Sequence, residues 1–448
     1  MRILIAVHGY PPTHNGGAER RAARTASGIL ARSHEVRVLC VESVSASEIS
    51  ARWEDKEQDG VLVRRLALSS ANRTDAFRES YDNHQTGRAF ADLMEEWRPD
   101  VVHLFSGYLL SASVARKAIE RGVPLVVSLT DYWWLCHRIN LIDSAGARCD
   151  GPTTIGCARC YAETFRRYRW PARVWPWGVT RLWQAAGAIG GLGIRLGLPA
   201  QAQRADVLLQ TLRSADALIA PSRYLADFYV RHGVDQHKVR VWRQGVDLAR
   251  RMERKPANVL RFGYLGQMKY HKGVDLLLEA WSRLRGEHPR HLRLYGSSVG
   301  EEAYGKRLRR MIDRLEDVTW SAPFQGAEVW RVLADLDVLV VPSRWAENSP
   351  NVILEAQAAG VPVVGSDFGG VAELVQHGRN GLLFRMDDAV DLANQLQRLL
   401  DEPGLMDRLR QGAIPLPTVD DEIGQLEELY TELAQRSAFR TGASECVA

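Results

Sequence analysis

Two carboxylates eight positions apart, Glu347 and Glu355, bracket the run Glu347-Asn348-Ser349-Pro350-Asn351-Val352-Ile353-Leu354-Glu355, just after the apolar stretch Val338 to Val341. A strand leading through a loop into a helix presents the helix's first N–H groups at the strand's carboxyl end. Ser349 reads as an N-cap and Pro350 as the first helical residue, which leaves the N–H groups of Asn351 and Val352 facing an anion. A diphosphate fits that seat. Glu347, in the loop, can accept hydrogen bonds from sugar hydroxyls, and Glu355, one turn into the helix, from both hydroxyls of a ribose. The plain alternative is an ordinary helix glutamate and a solvated loop charge. The Ser-Pro pair, the apolar strand before it and Gly360-Val361-Pro362-Val363-Val364 after it favour the ligand.

Other residues in the chain could also do chemistry. Thr130 and Asp131 follow the apolar run Leu125 to Leu129, so Asp131 can orient or deprotonate an acceptor hydroxyl, or cap the next helix; both readings stand. His103, inside the apolar run Val101 to Phe105, reads as a satisfied core histidine rather than a base. Cys136, Cys149, Cys157 and Cys160 form C-x12-C-x7-C-x2-C in a Gly- and Pro-containing loop. Four thiolates can hold one tetrahedral zinc and staple a loop with little core of its own. Such a zinc is structural, because it keeps no open position. The alternative is four thiols that are free or partly paired as disulfides. Cys40 and Cys446 stand apart from this group.

The segment 164–205 has no acidic residue, yet carries Arg166, Arg167, Arg169, Arg173, Arg181, Arg195 and Arg204 with Trp170, Trp175, Trp177 and Trp183. Arginine with interfacial tryptophan suits a segment lying on an anionic bilayer, which implies a lipid-borne acceptor. A basic insertion resting on the protein's own surface is the bland alternative. Nucleic acid is not expected as a partner, since the formal charge is only +4 over 448 residues.

Length and pattern supply the scaffold for these groups. A chain of 448 residues exceeds one core, so two domains are expected. Strand-like runs at Ile3–Val7, Glu35–Val41, Val61–Leu66, Val101–Phe105, Leu125–Leu129 and Ala217–Ala220 mostly alternate with helical stretches such as Ala18–Ala31, Gly87–Trp97 and Ser111–Gly122. The alternation restarts at Arg261–Leu265, and continues through Leu292–Tyr295, Val338–Val341 and Val361–Val364. Two doubly wound α/β domains follow. The hinge falls in the charged, Pro256-containing connector Leu248 to Ala257, and the amphipathic stretch Asp420 to Arg436 closes the chain as a helix. The expected domains are thus 1–247, 258–417 and a terminal helix and tail, 418–448. Six cysteines in a chain this long do not make a disulfide scaffold, so a reducing, cytoplasmic setting is expected. No uncharged apolar run reaches about 18 residues, so no membrane span is expected.

In order along the chain come Gly16-Gly17-Ala18-Glu19, Ala220-Pro221-Ser222, Gln244-Gly245-Val246-Asp247, Gly266 through Lys272-Gly273, Pro342-Ser343, the spaced glutamates, Gly369-Gly370-Val371-Ala372-Glu373 and Gly381-Leu382-Leu383-Phe384. This series resembles the retaining glycosyltransferases of family 4. The resemblance implies the GT-B fold: two Rossmann-like domains facing a cleft, with the last helix crossing back onto the N-terminal domain. It implies a nucleoside diphosphate sugar on the C-terminal domain, an acceptor on the N-terminal domain, retention of configuration and no cofactor for catalysis. By the same resemblance Lys272 contacts phosphate, Gly266 lets backbone come close, Gly16 and Gly17 approach the same phosphate, and backbone around Phe324 lies against the base. Two positions depart from the pattern. Gln267 stands where relatives carry arginine, so a leaving-group charge is missing unless Lys269, Arg344 or His271 replaces it. Thr130 stands where relatives carry a histidine that contacts the transferred sugar.

The expected function is transfer of a sugar from a nucleoside diphosphate to an acceptor hydroxyl, in bacterial envelope polysaccharide or lipid-linked oligosaccharide synthesis. Catalytic roles are expected at Glu347, Asp131, Thr130 and Lys272. The competing class is a non-catalytic GT-B scaffold subunit, motivated by Thr130 and Gln267. A dehydrogenase is a third class, although Gly16-Gly17 lacks the dinucleotide G-x-G-x-x-G pattern.

Overall fold

The computed structural model describes residues 1–48, 50–71, 75–248, 252, 257–324 and 326–445. The chain divides into two compact units, one made of residues 1–221, 226–242 and 420–448 and the other of 222–225 and 243–419. Most of the expected hinge, Leu248 to Ala257, lies outside the described residues.

The first unit holds one eight-stranded sheet in the order β3-β4-β2-β1-β5-β6-β7-β8. Its strands are β1 (Arg2–Val7), β2 (Glu35–Ser45), β3 (Arg52–Gln58), β4 (Val61–Ser69), β5 (Val101–Phe105), β6 (Leu125–Ser128), β7 (Ala217–Ala220) and β8 (Val239–Val241). All pairings are parallel except that of β3 with β4, an antiparallel hairpin turned by Asp59 and Gly60, both at positive φ. The central strands are apolar on both faces because helices cover both sides of a parallel sheet; β5 and β6 are buried throughout.

The second unit holds a six-stranded, wholly parallel sheet in the order β11-β10-β9-β12-β13-β14. These strands are β9 (Leu260–Leu265), β10 (Arg290–Tyr295), β11 (Val318–Ser321), β12 (Val338–Val341), β13 (Val363–Ser366) and β14 (Gly381–Phe384). Along β12, Val338 and Val340 join one apolar cluster with Phe262 and Leu292, while Leu339 and Val341 join another with Leu354 and Ile353. Successive side chains of a strand point to opposite faces, so the alternation shows a sheet buried on both sides.

The terminal helix Val419–Glu445 belongs with the first unit from Asp420 onward. It buries Ile423, Leu426, Leu429, Tyr430 and Leu433. Gly28, in the helix Gly17–Ala31, has no Cβ to meet Ile423, whose Cγ1 would stand 2.7 Å away, so the two helices close tightly. Arg21 and Glu422 make a buried ion pair of 2.6 Å across the same contact, and His34 meets Glu427 at 2.7 Å. The expected crossing helix is therefore present, and ten residues longer than Asp420 to Arg436.

Candidate active site

In the second unit the site is built at the carboxyl ends of β9 and β12, where an α/β sheet presents its ligand loops. After β12 the chain runs through Pro342 and Ser343 to Glu347, and the helix Asn351–Ala358 then begins. Glu347 is buried. Its Oε1 accepts from Lys272 Nζ at 2.6 Å and from Ser343 Oγ at 2.7 Å. Burial alone would raise the Glu347 pKa; the Lys272 ammonium, with Ser343, outweighs it and holds the carboxyl below its ordinary value. Lys272 also lies over the Trp345 ring, 4.9 Å from its centroid.

The loop is fixed from behind by backbone contacts that only glycine permits. Gly273, at φ +72°, would place a Cβ 1.9 Å from the Pro342 carbonyl oxygen. Gly370 donates its N–H to the Glu347 carbonyl at 2.6 Å, and a Cβ there would fall 1.9 Å from the Asn348 oxygen. The Gly369-Gly370 pair therefore seats the Glu347 loop, and the Gly370 N–H is not free for an anion. Gln244 completes the support, donating Nε2 to the Ser349 carbonyl at 2.7 Å and to Asn351 Oδ1.

Ser349 is not the N-cap. Pro350 occupies that position in an extended conformation (φ −65°, ψ 118°), and the helix starts one residue later than its sequence suggests. Ser349 Oγ is buried without a hydrogen-bond partner among the described residues. It thus stands beside the opening N–H groups of Asn351 and Val352, which have no acceptor within their own helix. Glu355 lies half-buried one turn on. Gly266 lies exposed at the end of β9 and donates its N–H to the Tyr295 carbonyl; its own oxygen would be 1.8 Å from a Cβ at Gly296. Phe324 packs edge-on to Tyr295, with 5.9 Å between ring centroids.

The three candidates to replace a cation at exposed Gln267 separate on geometry. Arg344 is committed to Asp275 at 2.5 Å and Asp387 at 2.6 Å. Burial pushes His271 down to about 4, so it is neutral near pH 7. Lys269 makes no side-chain ion pair among the described residues.

In the first unit Asp131 sits past the end of β6. Its Oδ1 accepts the Trp133 N–H at 2.8 Å, and its Oδ2 accepts from Ser106 Oγ at 2.9 Å and Thr130 Oγ1 at 3.3 Å. Asp131 thus caps a turn, not a helix. Burial raises its pKa, and the hydrogen bonds offset this only in part. Nearby, Glu19 folds back over the start of the helix Gly17–Ala31: a Cβ at Gly16 would stand 2.4 Å from Glu19 Oε2. Glu19 Oε1 is 3.2 Å from His8 Nε2, and His8 Nδ1 is buried without a partner. The protein's own carboxylate therefore fills the space beside Gly16. The sequence assigns no site role to His8 and Ser106, and shows Glu19, Ser343 and Gln244 only as members of family motifs. Only Glu19 carried a local signal, as the third helical residue able to reach back to the cap. His103 is a core residue, bonded to Tyr430 Oη at 2.5 Å and Ser128 Oγ at 2.8 Å, and burial keeps it neutral.

Cys136, Cys149, Cys157 and Cys160 are free thiols, half-buried, with Cys136 within electrostatic reach of the other three. Among the described residues no three His, Cys, Asp or Glu side chains are arranged to hold a metal ion, so the tetrahedral site is not formed as the thiols stand. Burial raises Cys149 and Cys157 and pushes Cys160 up to about 12, which keeps them protonated.

Two α/β units with largely parallel sheets, one carrying a buried glutamate paired with Lys272 beside a helix start, define the GT-B class of folds. The family model of the glycosyl transferase 4-like domain matches residues 16–245, just over half of the chain, and that of glycosyl transferases group 1 matches 260–402. The chain belongs to glycosyltransferase family 4. It is 33% identical over 256 residues to D-inositol 3-phosphate glycosyltransferase of Stackebrandtia nassauensis, covering 51% of this chain and 57% of that one. The match thus spans little more than half of that relative. Glycogen synthase of Mycobacterium tuberculosis is 26% identical over 439 residues, 92% of this chain and 89% of its own. Among solved structures, sucrose-phosphate synthase from Thermosynechococcus elongatus aligns with TM-score 0.67 at 18% identity, covering 97% of this chain and 99% of its own. Anabaena HepE in complex with UDP and glucose aligns with TM-score 0.65 at 17% identity, over 96% of this chain and 99% of its own.

Proposed function

We propose that the protein is a retaining glycosyltransferase that moves a sugar from a nucleoside diphosphate to an acceptor hydroxyl, in bacterial envelope polysaccharide or lipid-linked oligosaccharide synthesis. One observation carries this reading: the buried Glu347 carboxylate paired with the half-buried Lys272 ammonium, beside a helix opening where Ser349 Oγ has no partner among the described residues. An isolated pair of this kind costs stability to bury, so it makes sense where a ligand will use both charges. The diphosphate takes the N–H groups of Asn351 and Val352, Ser349 Oγ and Lys272; the sugar hydroxyls donate to the remaining lone pairs of Glu347; the ribose hydroxyls donate to Glu355. Gly266 and Gln267 lie along the phosphates, with Lys269 the free cation beside them, and Phe324 marks the base. UDP in HepE supports a nucleoside diphosphate of this kind.

In front-face displacement the anomeric C–O bond to the diphosphate breaks, the acceptor oxygen bonds to the same carbon from the same face, and the acceptor proton passes to the departing phosphate oxygen. Lys272 and the helix N–H groups stabilise the charge that gathers there. Asp131, held by Thr130 and Ser106, orients the acceptor hydroxyl. Gly16 and Gly17, in the first unit, allow close backbone approach to a ligand, with Glu19 as the group that ligand must displace. Purified protein should release nucleoside diphosphate slowly from its donor without acceptor. Glu347→Ala should lose this by about a hundredfold or more while keeping its fold. Donor binding without turnover by either protein would favour the second reading, a non-catalytic GT-B scaffold subunit, which Thr130 and Gln267 motivate.

Structural zinc at Cys136, Cys149, Cys157 and Cys160 belongs to the same proposal. Its support is the terminal C-x2-C and the mutual reach of the thiols; a cation would have to draw together groups now protonated and apart. Protein purified without added zinc should contain about one zinc per chain. Finding none removes the metal and leaves four structural thiols.

A further inference from the structure

The described residues expose nineteen large hydrophobic side chains, and eight of them fall between 165 and 194. Trp170 is 69% exposed, Trp177 61% and Ile194 70%. Such concentration on one short segment marks an interaction surface, whereas scattered exposure does not. The segment comprises the helices Arg166–Val174, Pro176–Ala188 and Gly190–Arg195. Loose attachment does not explain the exposure, because the middle helix also has an inner side turned to the protein. There Trp183 is 6% exposed and lines a cavity of about 390 Å³ with Ile155 and Arg159. A Cβ at Gly187 would stand 2.7 Å from Ile155 Cδ1, so this helix lies close on Thr154–Ala162. Trp177, Arg181 and Leu182 are left outward.

The charge on this outer side has one sign. Arg166, Arg167, Arg169, Arg173, Arg181 and Arg195 are all exposed, and none pairs with a carboxylate among the described residues. Arg181 lies over the Trp177 ring at 5.6 Å, and Trp175 meets Trp177 edge-on at 5.2 Å. Unpaired guanidinium groups interleaved with exposed indoles match an interface that is anionic outside and apolar a few ångströms deeper. No helix among the described residues is long and apolar enough to cross a membrane, so attachment has to be made at the surface.

We propose that the outer face of these three helices docks the protein on an anionic lipid bilayer. The proposal rests on the transfer reading only for its purpose, which is to bring the enzyme to a lipid-borne acceptor; the docking itself needs no donor. The test is cosedimentation of the full chain with phosphatidylcholine vesicles, with and without phosphatidylglycerol, from low to high salt. Binding should require phosphatidylglycerol, fall about tenfold or more with salt as the headgroup charge is screened, and shift tryptophan emission to the blue. The triple variant Arg166→Ser, Arg167→Ser, Arg173→Ser should lose binding. Trp170→Ser with Trp177→Ser should weaken it and abolish the blue shift. Because these positions are exposed, thermal midpoint and vesicle-free donor hydrolysis should match the parent in both. Equal binding to neutral vesicles, no binding, undiminished binding by the variants, or a single-stranded oligonucleotide displacing the vesicles would each overturn the proposal. Loss of donor hydrolysis in the parent, with docking intact, would instead sink the transfer reading alone.

Discussion

Glu347 and Asp131 are both carboxylates in loops at the carboxyl end of a buried parallel strand, yet their surroundings push them in opposite directions. Glu347 shares its oxygen with an ammonium and is held ionised; Asp131 is held by two hydroxyls and a backbone N–H and is pushed towards its protonated form. The strand end supplies a place, and the partner decides the chemistry. A fixed negative charge suits a group that grips sugar hydroxyls, whereas a carboxyl whose pKa is raised by burial suits one that meets an acceptor hydroxyl.

The largest way to break the contrast is to remove the ammonium. Lys272→Met leaves Glu347 buried and unpaired, and should cost about 3–5 kcal/mol of stability in denaturant unfolding. The double variant Lys272→Met, Glu347→Gln should recover most of that loss while still failing to turn over donor. If Lys272→Met unfolds like the parent, the pair is not the buried unit described. A smaller and sharper change is Asp131→Asn, which keeps an oxygen to accept the Trp133 N–H. Transfer to acceptor should fall by about ten- to a hundredfold, with acceptor-free donor hydrolysis unchanged. In the parent, transfer should rise with pH through the raised carboxyl pKa, since the ionised carboxylate is the stronger acceptor of the hydroxyl's hydrogen bond. The asparagine variant should lose that rise; an unaltered pH profile would leave Asp131 as a turn cap only.

Much of the scaffold was legible in the sequence because parallel strands covered on both faces need unbroken apolar runs. Val101–Phe105, Ala217–Ala220 and Val338–Val341 were readable to the residue for that reason. The edge strand Arg52–Gln58 was not, since every residue but Gln58 is exposed and its composition is charged. The glycine pair at 369 and 370 is legible only as part of a family motif, and only the fold brings the Glu347 backbone against it. The Ser349 cap failed because Pro350 takes the cap position itself. The meeting of Glu347 with Lys272, 75 positions apart, and of Asp131 with Ser106 is tertiary, with no local periodicity to announce it. The outward Trp and Arg side chains of the helical segment were legible as composition, but which indole turns inward, Trp183, was not.

The central claim is that a diphosphate docks at the opening of the helix Asn351–Ala358 between Glu347 and Glu355. A crystal structure of the protein soaked with a nucleoside diphosphate sugar tests it most directly. The account predicts phosphate oxygens within hydrogen-bond distance of the Asn351 and Val352 N–H groups and Lys272 Nζ, with sugar hydroxyls on Glu347. Donor bound elsewhere while that opening stays filled by protein side chains would contradict it.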